Sequence, residues 1–348
     1  MTGSGDHTVD RWAESEPCSN QRLSAAQVSG WRERGFTLIH NLLPDALLQQ
    51  AADDAYHHYP APATEDAKKF STFGSAQQFV FPSQLSNACN QITLHPALLQ
   101  AVADLLDTQV SDLRLTQSDL WPKYGREPGS HNLDNADQRI HCDYPNHTLT
   151  HPPRWDDPDA VEIIIYLSEF EECEGSTAVV PRQGKDDPAY PWPIMQTPGV
   201  AGLNYVNDKV HAEAYLREQA PEAARFRQEH LYAREVLARY QFGSVLFYRH
   251  DTWHRGTPVK TDTLRLVHNM TFKKARAEWV NVLHPGWAWS MYRQDQFMEK
   301  LIATASVEQR CVLGFPAPGS PYWNADTVAA VQARYGPHGI DMNPYQVT

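Results

Sequence analysis

The pattern of apolar and polar positions divides the chain into an α-rich beginning, a β-rich middle and an α-rich end. Ser24 and Gln27 have the spacing of a capping box; they open a helix that Gly35 ends, and Phe36 to His40 then alternates as a short strand. A second helix is predicted from Pro44, at its first turn, to about His57, and a third from Pro96 to about Asp107. Strand patterns follow at Leu113 to Trp121, Gln138 to Tyr144, Val161 to Leu167, Thr177 to Pro181, Ser244 to Tyr248, Trp253 to Thr257 and Leu264 to Lys273. Several short strands with turn residues between them point to a sandwich or barrel. The nearly unbroken apolar run from Val161 to Leu167 reads as a strand inside a sheet. Between Lys185 and Val236 lies an insertion with a proline-rich start and a charged helical stretch from about Asp208 to Tyr232. Beyond Lys273 helix patterns return, with a second capping box at Ser306 to Gln309 and a last helix near Ala325 to Tyr335 stopped by Gly336 and Pro337.

Length leaves the domain count open, because 348 residues suffice for one large domain or two ordinary ones. No repeat or low-complexity linker marks a division. Residues 1–20 are polar, carry acids and lack the apolar stretch of a secretory signal, so a flexible lead-in is expected. Residues 21–348 are then read as one domain: a helical part over 21–110, a β core over about 111–275 and a helical extension over 276–348. With 41% hydrophobic and 21% charged residues, and no apolar run near the roughly 18 residues that span a bilayer, a cytoplasmic protein without a membrane partner is expected. Five cysteines, scattered and without a C-x-x-C pair, suit reduced thiols better than disulfides or a structural zinc cluster. A net charge of −12 repels a phosphate backbone, which argues against a nucleic-acid partner. Any anionic ligand must be met by a single local cation, so arginines on otherwise apolar strands gain interest.

His141-Cys142-Asp143 is the first candidate for chemistry, because residues two apart on a strand face the same way and can grip one ion. Alone it is weak: with 16 histidines, about one His-x-Asp arises by chance. A partner follows downstream, where the apolar strand from Phe242 to Tyr248 leads through Asp251-Thr252 to His254. Two histidines and one carboxylate on one face of iron(II) leave three adjacent positions open, enough for a bidentate oxo-acid and dioxygen. A closed structural zinc site would want a fourth protein ligand, and none stands at useful spacing. Eleven residues after His254, beyond the turn residues Pro258, Thr261 and Asp262, Arg265 begins a strand that a hairpin would bring back toward the metal. There Arg265, Val267, Asn269 and Thr271 share one face, and Leu264, Leu266, His268, Met270 and Phe272 the other. An arginine so placed can hold the distal carboxylate of 2-oxoglutarate through two bonds; its bland alternative is pairing with a buried acid.

These pieces together resemble the phytanoyl-CoA dioxygenase family of iron(II)/2-oxoglutarate oxygenases. The matching segments are Gly35 to Ile39, the His141-Cys142-Asp143 strand, Tyr166-Leu167 to Gly175 through Pro181, Gly243 to Phe247, His254 and Arg265, covering about residues 30 to 275. The resemblance implies a double-stranded β-helix (jelly roll, cupin-like) core with flanking helices, Fe(II) on His141, Asp143 and His254, and 2-oxoglutarate anchored by Arg265. Two departures stand out. Pro181 is followed by Arg182-Gln183-Gly184-Lys185 where the family often has Pro-Gly-Ser-His after this stretch, a change expected to alter a loop but touch no ligand. Gly256 occupies the position, two after the distal histidine, where a small hydroxyl residue is common, and Thr257 is the expected substitute. Halogenating relatives replace the metal carboxylate by a small residue, so Asp143 favours hydroxylation.

The expected reaction couples oxidation of 2-oxoglutarate by O2, with release of succinate and CO2, to hydroxylation of a small organic molecule. The rival readings are a cupin-like metal-dependent hydrolase or isomerase on the same three ligands, and a binding module that kept only the fold. Gln117, on a strand leading toward the site, is a candidate co-substrate contact, with an ordinary core-edge amide as the alternative. His131, His147, His151, His250 and His268 are read as surface or core histidines, and Trp121, Tyr124, Tyr144, Trp192 and Trp253 as packing groups. Trp287, Trp289 and Tyr292 read as a helix-packing stripe, with a lid over the pocket mouth as the alternative. Prime substrate, oxidised position and oligomeric state are not legible.

Overall fold

The computed structural model describes residues 11–70, 79–127, 136–191, 196–280 and 296–347. His131, Trp192, Trp287, Trp289 and Tyr292 lie outside the described residues, as does the side chain of His147. Among the described residues eleven strands form two sheets: β1 (Trp12–Glu14), β2 (Glu16–Pro17), β3 (Phe36–His40), β4 (Phe79–Val80), β5 (Leu113–Tyr124), β6 (Ala160–Tyr166), β7 (Thr177–Val179), β8 (Val236–Arg239), β9 (Val245–Arg249), β10 (His254–Gly256) and β11 (Leu264–Lys274). The major sheet has the order β2-β3-β9-β6-β11-β5-β4 and the minor sheet the order β1-β8-β7-β10. Together they make the double-stranded β-helix expected from the sequence.

Alternation along the strands explains how the layers form. On β11, Leu264, Leu266, Met270 and Phe272 turn outward into one core cluster. Val267 turns inward and packs with Trp121, Tyr166 and Leu246. Register carries the same inner face across the sheet, since Val267 lies opposite Trp121 on one side and Tyr166 on the other. All seven residues of β6 are buried, because helices cover one of its faces and the inner cluster the other, and this is why its sequence lacks a polar alternation. The covering helices are α1 (Ala25–Arg34), α2 (Asp45–His58), α3 (Asn87–Thr93) and α4 (Pro96–Leu106). They bring Trp31, Leu48, Ile92 and Leu98 to the outer cluster. α1 starts with the capping box of Ser24 and Gln27 and ends at Gly35, whose φ of 92° favours glycine. A Cβ there would also fall 2.7 Å from Thr252 Oγ1, so this glycine lets the helix end close against the turn before His254.

One strand expectation fails. The segment from Gln138 to Tyr144 makes only single-residue bridges, Gln138 with Asp208 and His141 with His254, and Tyr144–His147 is a helical turn. Its alternation reflects one residue at a time meeting different partners, and no ladder forms. The short helix α3 and β8 were also not anticipated, being too short for a period to register. The last helix, Ala325–Tyr335, is as expected and docks behind the site: Arg334 donates to the carbonyls of Thr148 and Pro145, both at 2.9 Å, and the Tyr335 hydroxyl donates to that of Leu149 at 2.6 Å. Among the described residues no helix is long and apolar enough to cross a membrane.

Leu266 has no exposed surface and packs between β11 and the helices. Leu266→Ala should therefore cost about 2–5 kcal/mol of stability. Val210, which is 69% exposed, gives a control in Val210→Ala, expected to change stability by less than about 0.5 kcal/mol. Urea unfolding of both variants checks the pair; equal costs would contradict this assignment of the core.

Candidate metal centre

The site is assembled by one rung of backbone pairing. His141 N–H donates to the His254 carbonyl and His254 N–H to the His141 carbonyl, each at 2.8 Å. Directly opposed residues project to the same side, and the two imidazole centroids lie 4.4 Å apart. Asp143, two residues beyond His141, turns its carboxylate to them: Oδ1 is 3.7 Å from His141 Nε2 and Oδ2 is 3.4 Å from His254 Nε2. One ligand-capable atom from each of His141, Asp143 and His254 lies within 4.8 Å of the others, and among the described residues they are the group of this kind. Ligands at 2.0–2.2 Å from one ion at right angles have donor atoms about 3 Å apart, so small side-chain shifts suffice for a shared metal.

Each imidazole is oriented from behind. His141 Nδ1–H donates to the Arg139 carbonyl and His254 Nδ1–H to the Thr252 carbonyl, both at 3.0 Å. A carbonyl can only accept, so both Nδ1 atoms carry the proton and both Nε2 lone pairs face the centre. Burial, reinforced by the neighbouring His254 ring and the Arg139 guanidinium, pushes the His141 pKa well below the ordinary range, which keeps the ring neutral as a ligand must be. Tyr248, on the inner face of β9, donates its hydroxyl to Asp143 Oδ2 at 2.7 Å. Burial and the nearby carboxylates of Asp143 and Glu162 raise its pKa far above that of free tyrosine, so it remains a donor.

The turn leading to His254 is held by a buried ion network. Asp251 takes Arg182 Nη2 at 2.9 Å and Arg249 Nε at 3.1 Å, and Arg182 lies over the Tyr190 ring at 4.2 Å. Arg182 thus touches no ligand, as expected, yet it braces the loop that carries one. Below the centre, Glu162 pairs with His250 and accepts from the Thr271 hydroxyl. His250 is accordingly a core histidine, as are His268, whose ring meets Ser118 Oγ at 2.9 Å, and His151, which donates to the Pro152 carbonyl at 2.7 Å. Tyr248, Arg182 and Glu162 were missed as site residues. The one available signal was a lone acid, Glu162, inside an otherwise apolar strand.

Arg265 is 7% exposed, donates to the Gly175 carbonyl and leaves Nε without a hydrogen-bond partner. Among the described residues no carboxylate lies within ion-pair distance of it, which removes the bland alternative of a buried acid partner. Opposite it on β5 stands Lys123, another buried cation, which the sequence reading did not single out. Thr257 and Gln117 are placed as follows. The Thr257 hydroxyl, just past β10, donates at 2.8 Å to the carbonyl of Ser176, just before β7. Gln117 lies opposite Thr271, six residues from Lys123 along β5 and so about 20 Å from it. Its amide donates to Asp119 Oδ1 at 2.9 Å, and it is too far along the strand to touch an acid anchored at Arg265.

The family described as phytanoyl-CoA dioxygenase (PhyH) has a sequence model that matches residues 31–267. No curated protein matches the chain. Among solved structures it is similar to EvdO2 from Micromonospora carbonacea var. aurantiaca complexed with 2-oxoglutarate, at 15% identity over 76% of this chain and 96% of that one, with a TM-score of 0.48. It is similar also to HygX from Streptomyces hygroscopicus with nickel and 2-oxoglutarate bound, at 15% identity over 73% and 88%, with a TM-score of 0.47. A third is the epimerase SnoN in complex with Fe3+, alpha ketoglutarate and nogalamycin RO, at 14% identity over 72% and 83%, with a TM-score of 0.47. These likenesses are distant, and the family assignment stands on the sequence match over more than half of the chain.

The Asp251 network has a pH signature. Burial by itself would raise this carboxyl, but the Arg182 and Arg249 guanidiniums outweigh it and bring the pKa to about 2. The unfolded value is roughly 3.9, so the stabilisation is complete above about pH 4 and is lost as pH falls toward the folded value. The pH-dependent part, on the order of 2 kcal/mol, should appear as a wild-type advantage over Asp251→Asn that shrinks between pH 4 and 2. Denaturant titrations of the two proteins across that range check it, and a constant difference would contradict it.

Proposed function

The chain belongs to the phytanoyl-CoA dioxygenase family of iron(II)/2-oxoglutarate-dependent oxygenases, and from that premise we propose that His141, Asp143 and His254 hold the iron and Arg265 the distal carboxylate of 2-oxoglutarate. The observation that carries the reading is the convergence of two imidazole Nε2 atoms and one carboxylate, each imidazole fixed through Nδ1 by its own backbone. Three ligands on one face leave adjacent positions for the oxo-acid and dioxygen. When bound, the iron and 2-oxoglutarate supply the oxidising chemistry, which here is read as hydroxylation of a C–H bond in a small organic molecule with release of succinate and CO2.

The chain's own groups do the rest. Arg139 and Thr252 carbonyls orient the imidazoles, Tyr248 steadies Asp143, and Arg265 fixes the co-substrate so that its oxo-acid end reaches the metal. The inner cluster around Trp121, Tyr166 and Val267 keeps the space between the sheets dry. The hydrolase or isomerase alternative, which would use the same three ligands, finds no observation in its favour. The same reading takes residues 21–348 as one catalytic domain, supported by the bonds from Arg334 and Tyr335 to the segment just after Asp143, and β1 and β2 extend its sheets into the segment expected to be a flexible lead-in. It also places the enzyme in the cytoplasm, supported by five unpaired cysteines, four of them buried.

His141→Ala and His254→Ala should each abolish iron-dependent succinate formation, and near-wild-type turnover by either would move the centre elsewhere. Asp143→Gly should lose hydroxylation while retaining part of the iron affinity, as read by anaerobic iron titration. Arg265→Ala should weaken 2-oxoglutarate by about 30- to 700-fold, with iron affinity nearly unchanged. Arg265→Lys should recover part of that loss because the charge returns without the fork. The decisive measurement is the weak visible charge-transfer band of the iron(II)–2-oxoglutarate chelate under anaerobic conditions, titrated on all these proteins; its absence from the wild type would end the proposal.

A further inference from the structure

Resting on the reading of the metal centre, we propose that Arg227 and Tyr232, carried by the insertion between Lys185 and Val236, are positioning residues for the iron: they fix the two peptide planes that lead into His141 and so aim its imidazole.

The need for such a device lies in the backbone. The chain from Gln138 to Tyr144 makes single bridges and no ladder, yet Ile140 has no exposed surface, and a buried N–H or carbonyl left unpaired is costly. Both backbone groups of Ile140 are met by side chains. Its N–H donates to the Tyr232 hydroxyl at 3.3 Å, and its carbonyl accepts from Arg227 Nη2 at 2.9 Å. The insertion adds two main-chain bonds just upstream, Arg139 N–H to the Asn207 carbonyl at 2.7 Å and Lys209 N–H to that of Asp137 at 2.9 Å.

Peptide planarity carries these bonds to the ligand. The Ile140 N–H and the Arg139 carbonyl belong to one plane; Tyr232 holds the first end, and the second accepts from His141 Nδ1 at 3.0 Å. The next plane contains the Ile140 carbonyl and the His141 N–H, held at one end by Arg227 and at the other by the His254 carbonyl at 2.8 Å. Neither plane can tip without losing a bond, and a tip of the first would swing the carbonyl that orients the imidazole.

Local structure brings the two side chains together. Arg227–Tyr232 is a π-helical turn, bonded from i to i+5, so residues five apart lie nearly above one another, whereas an α-helix would turn them to different sides. Glu213, on the helix Lys209–Gln219, joins them through one oxygen: Oε1 accepts from Arg227 Nε and from the Tyr232 hydroxyl, both at 2.8 Å. Arg227 and Glu213 are both buried, and a buried ion pair adds little net stability over apolar side chains because desolvation offsets attraction. What this pair provides is position.

The test separates position from stability. Tyr232→Phe deletes one hydroxyl, and Arg227→Met with Glu213→Leu replaces the pair by apolar groups without stranding a charge. Anaerobic titration of the metal-free proteins with iron(II) should show affinity weakened by about 10- to 100-fold in each. Leu266→Ala, destabilised in the outer core, is the control and should bind iron within about twofold of wild type. Arg227→Lys returns a donor for the Ile140 carbonyl and should bind iron more tightly than the double variant. Without metal, hydrogen exchange at the Ile140 and His141 amides should quicken in Tyr232→Phe and in the double variant while that of β6 does not. Iron affinity within about twofold of wild type in both, a loss matched by Leu266→Ala, or quickened exchange spread over the whole chain overturns the positioning role. Should the double variant fail to fold, Tyr232→Phe and Arg227→Lys carry the comparison. Failure of the wild type to bind iron removes the reading of the centre itself, whereas the exchange measurement, made without metal, still decides whether the two planes are clamped.

Discussion

A single rung of reciprocal backbone hydrogen bonds, His141 with His254, is the constraint on which the rest of the centre depends. It joins a segment with no ladder of its own to the first residue of a three-residue strand. The fixed spacing of a directly opposed pair sets the two imidazoles side by side, and the same local device, Nδ1–H to the carbonyl two residues earlier, turns each ring. Little of this comes from regular structure, so the surroundings must hold it. Asp251 links the turn before His254 to Arg182 and Arg249 and, through its carbonyl, accepts from Cys142 Sγ at 3.3 Å between the two ligands of the other segment. Gly35, at the end of α1, accepts from Thr252 Oγ1 at 2.8 Å on the far side of the same turn.

Several buried charges inside the molecule are paired. Around the minor sheet, buried guanidiniums meet carboxylates: Arg255 with Glu235 and Asp137, and Arg227 with Glu213. Such pairs add little net stability over an apolar core, because desolvation offsets attraction, but breaking one is severe. They act as pins that hold loops where strand pairing is too short to do so. Lys123, Arg265, Lys273 and Arg310 are buried cations that donate to backbone carbonyls instead.

Much of the architecture was legible along the chain. The capping boxes at Ser24 and Ser306, the helix Ala325–Tyr335 and the two faces of β11 follow from local periodicity and end chemistry, which a linear pattern records directly. The ligand triad was legible as a spacing, and Arg265 as a cation on an otherwise apolar strand. Gln138 to Tyr144 misled because an alternation produced by unrelated single contacts looks the same as one produced by a ladder.

What the sequence by itself determined is therefore the set of elements, the face each strand offers to the core, and the residue types able to grip a metal and an acid. Tertiary structure decided which of those residues meet. Lys123 and Arg265 are far apart along the chain and become partners only through the register of β5 on β11. A Cβ at Gly256 would stand 3.3 Å from Lys123 Nζ, and the Thr257 hydroxyl meets the Ser176 carbonyl, neighbours that the sequence pattern does not reveal. Gln117 shares the inner face yet is carried some 20 Å away by the rise of the strand. The physical reason is common to all four: periodicity fixes the direction of a side chain, whereas distance between side chains depends on register and sheet packing, which no local pattern encodes.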